Sequence, residues 1–378
     1  MKIGIDLSML VYAGSGVATY TYNFARSLLQ YDKENSYCFF YSSFRRPKNF
    51  YYLEELKKQG ATITELPLPA SVIRFLWNRN HILPVEWFIG KVDFFHSSDY
   101  LRPPLLKGTK GITTIHDLTW KLFPQYHTKE VISHHERKLK RTIALGDIII
   151  VDSENTRRDL INAYSDIKKK NIHLLHLGVD ERFKRVKNPS VITRTLSKYL
   201  NQSNRGSAPY LLYVGAIEPR KNLDTAIRVY ADLIKEKRYS SYRFLVAGRA
   251  GWKNEHIFSL VKELGLQKKV LFIGFVLDED LPALYSGASA LIYLSLYEGF
   301  GLPPLEAAFC GTPSLIYRNS SLAETFPEEY SFAKSTQELP VLRKILDSQM
   351  KIDRRHFEQF TWKKYVNRFL DVISLRQS

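Results

Sequence analysis

The chain has 378 residues, 44% of them apolar, 25% charged and 13% aromatic, which excludes a long disordered protein and calls for two domains of ordinary size with a large cleft between them. Lys plus Arg exceed Asp plus Glu by 55 − 38 = 17, a balance that attracts polyanions such as nucleic acid, anionic lipid headgroups or phosphorylated substrates. The two cysteines, Cys38 and Cys310, lie far apart without ligand spacing, which excludes a disulfide framework or a zinc site and fits a reducing, cytoplasmic setting.

The first predicted element is a strand at 2–6, followed by a small-residue turn at 12–16 and a helix with apolar spacing over 17–30. Further strands are predicted at 37–41, 62–66, 92–96, 111–115, 148–151 and 172–175, several separated by helix-length segments. Strands alternating with helices read as a parallel sheet covered on both faces. After a polar stretch at 187–209 the pattern restarts, with strands at 210–214, 242–247, 270–273, 290–294 and 313–316 and helices at 223–235, 255–264 and 280–286. A last amphipathic helix covers 362–375. The fold class is therefore α/β, with one Rossmann-like domain over 1–187, a second over 188–360, and a terminal helix within 361–378 that can cross back to the first. Basic clusters at 45–48, 137–141 and 168–170 fall in the first half. No apolar run reaches the length of a membrane span, so any membrane association is expected to be peripheral.

In open parallel sheets ligands collect beyond the carboxyl ends of the strands. Gly14-Ser15-Gly16 follows the first strand and opens a helix, where glycines let backbone amides approach an anion or a sugar. Thr19 stands where a dinucleotide fingerprint needs its third glycine, so an NAD site is not indicated. In the second unit the strand 210–214 ends in Gly215, and Arg220 and Lys221 stand just before a helix. Cations there oppose the helix dipole, so a counter-charge is needed, and a diphosphate suits a forked Arg beside a mobile Lys. The most specific stretch is Glu298-Gly299-Phe300-Gly301-Leu302-Pro303-Pro304-Leu305-Glu306, after the strand at 290–294. Glu306 falls in the expected first turn of a helix opened by Pro304 and closed by Gly311, where it serves either as a cap or as acceptor for vicinal hydroxyls such as those of a ribose. His116 taken alone reads more often as a structural histidine at a strand end than as a functional one. The triplet Asp278-Glu279-Asp280 only superficially resembles a metal-binding D-x-D, because acids preceding a helix stabilise its dipole; no metal site is predicted.

Taken together, Gly215, Arg220-Lys221 and the Glu298/Glu306 pair with its Gly-Phe-Gly-Leu-Pro-Pro interior resemble the retaining family 4 glycosyltransferases of the GT-B fold, two Rossmann-like parallel-sheet domains facing across a cleft. Gly14/Gly16, Thr114-Ile115-His116-Asp117-Leu118, Ser153-Glu154-Asn155-Thr156 and Gly178-Val179-Asp180 extend the resemblance over nearly the whole chain. It implies that Arg220 and Lys221 bind the donor diphosphate, that Glu306 binds the ribose, and that Glu298 lies beside the donor sugar. It further implies that Phe300, Gly301 and Leu302 hold sugar hydroxyls and phosphate through backbone amides. His116 would lie close to the sugar, the Gly16 loop would close over the donor, and Phe275 and Val276 would flank the nucleobase. Retention of configuration is likewise implied by resemblance, and so is the substrate: GDP-mannose first, UDP-hexoses or dTDP-rhamnose next, with a glycan or lipid-linked oligosaccharide as acceptor in bacterial surface polysaccharide synthesis.

No cofactor is expected beyond the nucleotide diphosphate sugar as co-substrate, and the Arg/Lys pair would replace a divalent cation. The basic, apolar-interleaved stretch 129–141 points to an anionic membrane surface, placing the enzyme in the cytoplasm on the inner face of the plasma membrane. Two other readings compete. A basic nucleic-acid binder lacks any helix-turn-helix, zinc or RNA-sheet signature, and no nucleic-acid partner is expected. An epimerase or phosphorylase of the same architecture is opposed by the Glu298/Glu306 pattern and by the need for a pyridoxal-bearing lysine.

Overall fold

A computed structural model describes all residues except 45–49, 98–100, 201–207, 250, 252–253, 328–331, 334, 349, 351 and 376–378. The basic cluster at 45–48 and part of the polar stretch at 187–209 thus lie outside the described residues. The chain divides into two compact units, Met1–Gly178 with Phe360–Ser378, and Val179–Gln359.

The first unit is built on seven strands: β1 (Lys2–Asp6), β2 (Ser36–Ser42), β3 (Ile63–Leu66), β4 (Phe94–Ser97), β5 (Lys110–Ile115), β6 (Ile148–Val151) and β7 (Ile172–Leu174), in the order β3-β2-β1-β4-β5-β6-β7. Every pairing is parallel. Strand order reverses between β1 and β4, so a crevice opens beyond their carboxyl ends. The helix Gly16–Tyr31 begins there because Ser15 caps it, its side chain accepting from the Ala18 amide at 3.2 Å. Apolar residues at helical spacing, among them Tyr20, Phe24 and Leu28, face inward and are buried.

The terminal helix Trp362–Ser374 is capped by Thr361 and buries Trp362, Tyr365, Val366, Phe369, Val372 and Ile373. Phe369 stacks edge-on to Phe24 at 5.0 Å, a burial that stabilises by about 1.5–3 kcal/mol. Gly178 makes this docking possible, since a Cβ there would lie 2.2 Å from the Trp362 amide nitrogen. Gly178→Ala would push the helix off.

The second unit carries β8 (Tyr210–Val214), β9 (Arg243–Ala247), β10 (Val270–Gly274), β11 (Ala290–Tyr293), β12 (Ser314–Tyr317) and β13 (Phe332–Ala333), again all parallel, in the order β10-β9-β8-β11-β12-β13. Its reversal falls between β8 and β11. The predicted strands all occur, with ends that move by a residue or two; β13 was not predicted, being too short to show a period. The first domain boundary, expected at 187/188, falls between Gly178 and Val179 instead. Residues just after it pack into the second unit: Phe183 meets the Tyr285 ring at 6.0 Å, and the Val186 amide donates to Ser286 Oγ at 2.9 Å.

Candidate active site

At the end of β8 the backbone must turn sharply against β9. Gly248 approaches so closely that a Cβ on it would stand 1.8 Å from the Gly215 carbonyl oxygen. The chain then makes a short 3-10 turn, Pro219–Lys221, and Asn222 adopts a left-handed conformation (φ 54°) before the helix Leu223–Leu233. Asn tolerates that region. Its side-chain amide donates to the Leu294 carbonyl at 3.1 Å, and the Leu296 amide donates to the Arg220 carbonyl at 3.0 Å, which stitches the loop after β8 to the loop after β11.

That stitching brings Arg220, Lys221 and Glu298 together. Lys221 Nζ lies 2.6 Å from Glu298 Oε1 and donates to the Tyr293 hydroxyl at 2.8 Å, and the same hydroxyl donates to Glu298 Oε1 at 2.8 Å. Arg220 Nη1 donates to the Tyr297 carbonyl at 2.6 Å and lies 3.3 Å from Glu298 Oε2, while Nη2 pairs with Glu218 at 2.7 Å. Burial opposes ionisation of Glu298, but the Lys221 and Arg220 charges beside it override that and hold its carboxyl at about 2. The counter-charge required at this helix start is therefore present within the chain, as Glu218 and Glu298, and does not by itself call for a bound diphosphate.

Three residues after β12 fix the backbone of the Glu298 loop. Asn319 donates to the carbonyls of Ser295 and Leu296 at 3.1 and 3.0 Å, Ser320 Oγ accepts from the Glu298 amide at 2.9 Å, and Ser321 Oγ donates to the Glu298 carbonyl at 3.0 Å. Phe300 is buried, and Gly301 (φ 87°) leads into the helix Leu302–Phe309 where a Cβ would strike Leu322 at 2.4 Å. Pro303 and Pro304 in the first turn bring no amide hydrogens, so Leu302 supplies the first backbone donor of that helix.

Glu306 lies beyond the first turn, which is without acids, so helix capping is corrected as its role. It is buried and accepts from the Tyr285 hydroxyl at 2.8 Å. Burial pushes its carboxyl up to about 7; Asp278 and Asp180 add to the rise, against the Tyr285 hydrogen bond and Arg182. Asp280 directs its oxygens to Lys198 Nζ (2.7 Å) and the Tyr199 hydroxyl (2.6 Å) and makes no capping bond to its own helix. Further along the same sheet edge Val276 is buried, whereas Phe275 is 41% exposed with the Arg249 guanidinium 4.5 Å above its ring.

In the first unit, Gly14 (φ 81°) and Gly16 flank the cap of the helix Gly16–Tyr31, and a Cβ on Gly16 would meet nothing within 4 Å. Val17 and Tyr20 of that helix, with Asp6, His96, Thr114 and His116, line a cavity of about 10 Å³, room for one water. The Tyr20 hydroxyl bonds Thr114 Oγ1 at 3.0 Å and the Tyr365 hydroxyl at 2.9 Å, and His96 Nε2 bonds Thr114 Oγ1 at 2.8 Å. His116 Nδ1 lies 2.5 Å from Asp152 Oδ2.

Of the residues singled out in the sequence, Gly215, Arg220, Lys221, Phe275, Val276, Glu298, Phe300, Gly301, Leu302 and Glu306 belong to the second unit, and Gly14, Gly16 and His116 to the first. Sequence reasoning missed Glu218, Tyr285, Tyr293, Ser320, Tyr20 and Asp152. Tyr293 carries the one available signal: a hydroxyl at the end of an otherwise aliphatic strand requires a partner.

Two family models match, "Glycosyltransferase Family 4" over residues 14–183 and "Glycosyl transferases group 1" over residues 198–339. The chain is similar to the Escherichia coli "O-antigen chain mannosyltransferase B", 29% identical over 264 residues that make up 70% of this chain and 66% of the relative. It is also similar to the Escherichia coli "Serotype-specific mannosyltransferase WbdA", 32% identical over 183 residues, 47% of this chain and 22% of the relative. The chain thus spans just under two thirds of the first and about a fifth of the second. Among solved structures, HepE of Anabaena in complex with UDP and glucose superposes with a TM-score of 0.64 at 14% identity, covering 100% of this chain and 97% of that one, a likeness of fold.

Proposed function

From the premise that the chain belongs to glycosyltransferase family 4 and has its GT-B fold, we propose that it is a retaining hexosyltransferase that moves mannose from GDP-mannose to a glycan or lipid-linked oligosaccharide in surface polysaccharide synthesis. The carrying observation is the convergence of Arg220, Lys221 and Glu298 where β8 and β11 end. In this reading the leaving diphosphate takes over Arg220 and Lys221, which are already held in place by their carboxylates, and the negative charge that grows on it is stabilised without reorganisation. Glu298, ionised at any working pH, then accepts a hydrogen bond from a sugar hydroxyl, and Glu306 accepts from the ribose. The acceptor hydroxyl attacks the anomeric carbon on the face the phosphate leaves. The bond from anomeric carbon to phosphate oxygen breaks as the new glycosidic bond forms, and the hydroxyl proton passes to the departing phosphate. Retention follows without a covalent sugar on Glu298; trapping such an adduct would overturn this route.

Mannose is supported by the relatives' names and by nothing in the pocket itself. UDP- and dTDP-sugars are the rival donors. A thermal-shift panel of GDP, UDP, dTDP and ADP sugars, followed by transfer assays with and without chelator, decides: GDP-mannose should raise the melting temperature most, and transfer should survive chelation. Silence to every nucleotide would sink the proposal.

We place the enzyme on the cytoplasmic face of an anionic membrane. No helix among the described residues is long and apolar enough to cross one. The structure narrows the basic stretch expected to touch lipid, because Lys138 and Leu139 are buried and Arg141 donates to the carbonyls of Trp77 and Asn78 at 2.9 and 3.0 Å. The segment it grips and the residues after it leave Phe75, Ile82 and Trp87 exposed, with Arg79 between them in sequence, an apolar and cationic combination suited to the headgroup boundary. Vesicle binding that ignores both anionic lipid and salt would remove this part.

A further inference from the structure

The His116 and Asp152 side chains form a pair that the sequence motif does not contain. His116 follows β5 and Asp152 follows β6, so both stand at the carboxyl edge of the first sheet. Asp152 is 1% exposed and the His116 side chain 18% exposed, with Nδ1 and Oδ2 2.5 Å apart. His116 is held at two further points, one on its backbone and one on its ring. Thr156 Oγ1, in the turn capped by Ser153, donates to the His116 carbonyl at 3.1 Å. The Tyr20 ring meets the imidazole edge-on at 4.5 Å and an interplanar angle of 73°. An asparagine at position 152 would have the same size. What a carboxylate adds is chemical. When ionised it only accepts hydrogen bonds, so the nitrogen facing it must carry hydrogen.

We infer that Asp152 is a positioning residue, which fixes His116 as the Nδ1–H tautomer and so presents Nε2 as a hydrogen-bond acceptor toward a hydroxyl of the transferred sugar. The inference rests on the transferase reading for the last clause only. The tautomer is a property of the free protein, as it is of imidazoles elsewhere whose remote nitrogen is oriented by a buried acid. A loss of the Asp152 charge lets Nε2 take the hydrogen, and the acceptor becomes a donor.

Two measurements test this separately. Nitrogen-15 spectra of histidine-labelled full-length protein should show the His116 signal, assigned by its absence from His116→Gln, with Nε2 unprotonated at neutral pH. An Nε2–H tautomer in the wild type overturns the inference whatever the enzyme transfers. In transfer assays with GDP-mannose, Asp152→Asn should lower kcat by about 10- to 100-fold. The melting temperature rise produced by GDP alone should be unchanged, because the nucleotide groups lie on the other unit, and Asp152→Glu should restore part of the rate. Unchanged kcat in Asp152→Asn overturns the role. If the wild type transfers no sugar from any donor, the function proposed above fails while the spectroscopic arm still reports on Asp152.

Discussion

The two units reverse their strand order in the same way, yet the groups gathered at the two reversal points are of opposite kinds. Beyond β8 and β11 stand charges of alternating sign, Glu218, Arg220, Glu298 and Lys221, each within hydrogen-bond or ion-pair reach of the next. At β1 and β4 most of the buried groups are hydroxyls and imidazoles, Tyr20, Thr114, His96 and Tyr365, with the carboxylates Asp6 at the end of β1 and Asp152 against His116. Topology supplies the same place twice; the side chains decide what each place can do. Cations preset by carboxylates can exchange partners with an arriving diphosphate, whereas a closed hydroxyl network cannot neutralise an anion but holds one shape. Changes that remove charge from the second unit's cluster should therefore act on chemistry, and changes in the first unit's hydroxyl network, the His116–Asp152 pair apart, should act mainly on stability.

The largest effect is expected from Lys221→Ala. Transfer should fall about 1,000-fold in kcat/KM as the leaving phosphate loses a preorganised cation. The protein should also lose about 3–5 kcal/mol of stability, because Glu298 stays buried without its closest partner. Lys221→Ala with Glu298→Gln should regain much of that stability and none of the rate. Initial rates and urea unfolding on the same three proteins separate the two effects. A Lys221→Ala enzyme at full speed would erase the contrast between the units.

Next in size is Glu306→Gln. The folded carboxyl sits at about 7, above its ordinary value of 4.5, so the unfolded chain releases this proton first as pH rises. Stability is then lost between about 4.5 and 7 and stays lost above, by about 3 kcal/mol for a shift of this size. The Gln variant should show a melting temperature that no longer falls over that window. If the ionised carboxylate is what binds ribose, GDP affinity of the wild type should rise by up to about tenfold from pH 6 to 8, and that of the variant should not. Equal slopes in the two proteins would separate Glu306 from the nucleotide.

How much of this was legible beforehand follows from range of interaction. Both Rossmann-like units could be read, because strand and helix periods are local, and the stretch from Glu298 to Glu306 could be singled out because its glycines, prolines and acids are contiguous. The partners could not. Tyr293 to Lys221 and Asp152 to His116 are contacts created by strand order, at sequence separations of 72 and 36. The place of Glu306 in a first turn, and with it the capping alternative, was misread because the helix begins at Leu302, ahead of Pro304, which moves the acid into the interior. The lipid-facing reading of 129–141 did not foresee that the Arg141 guanidinium donates to backbone carbonyls.

The smallest expected effect carries the opposite sign from Glu306 and so tests the comparison from the other side. His96 is buried, and burial, with the Lys138 and His116 charges adding, pushes its imidazole down to about 3 from an ordinary 6.5. As pH falls through 6.5 the unfolded chain takes up a proton that the folded chain refuses, so stability is present above that value and is lost progressively down to about 3. Between pH 7 and 5.5 the loss is only about 1 kcal/mol. His96→Gln keeps a donor and acceptor beside Thr114 and removes the titration, so its melting temperature should fall less than that of the wild type over the same interval. Glu306→Gln should leave this acid limb unchanged, and His96→Gln should leave the Glu306 limb unchanged. Parallel curves for His96→Gln and wild type below pH 6.5 would mean that Tyr20 and Thr114 accommodate the imidazolium, and the first unit's network would then be more adaptable than its closed hydrogen bonding implies.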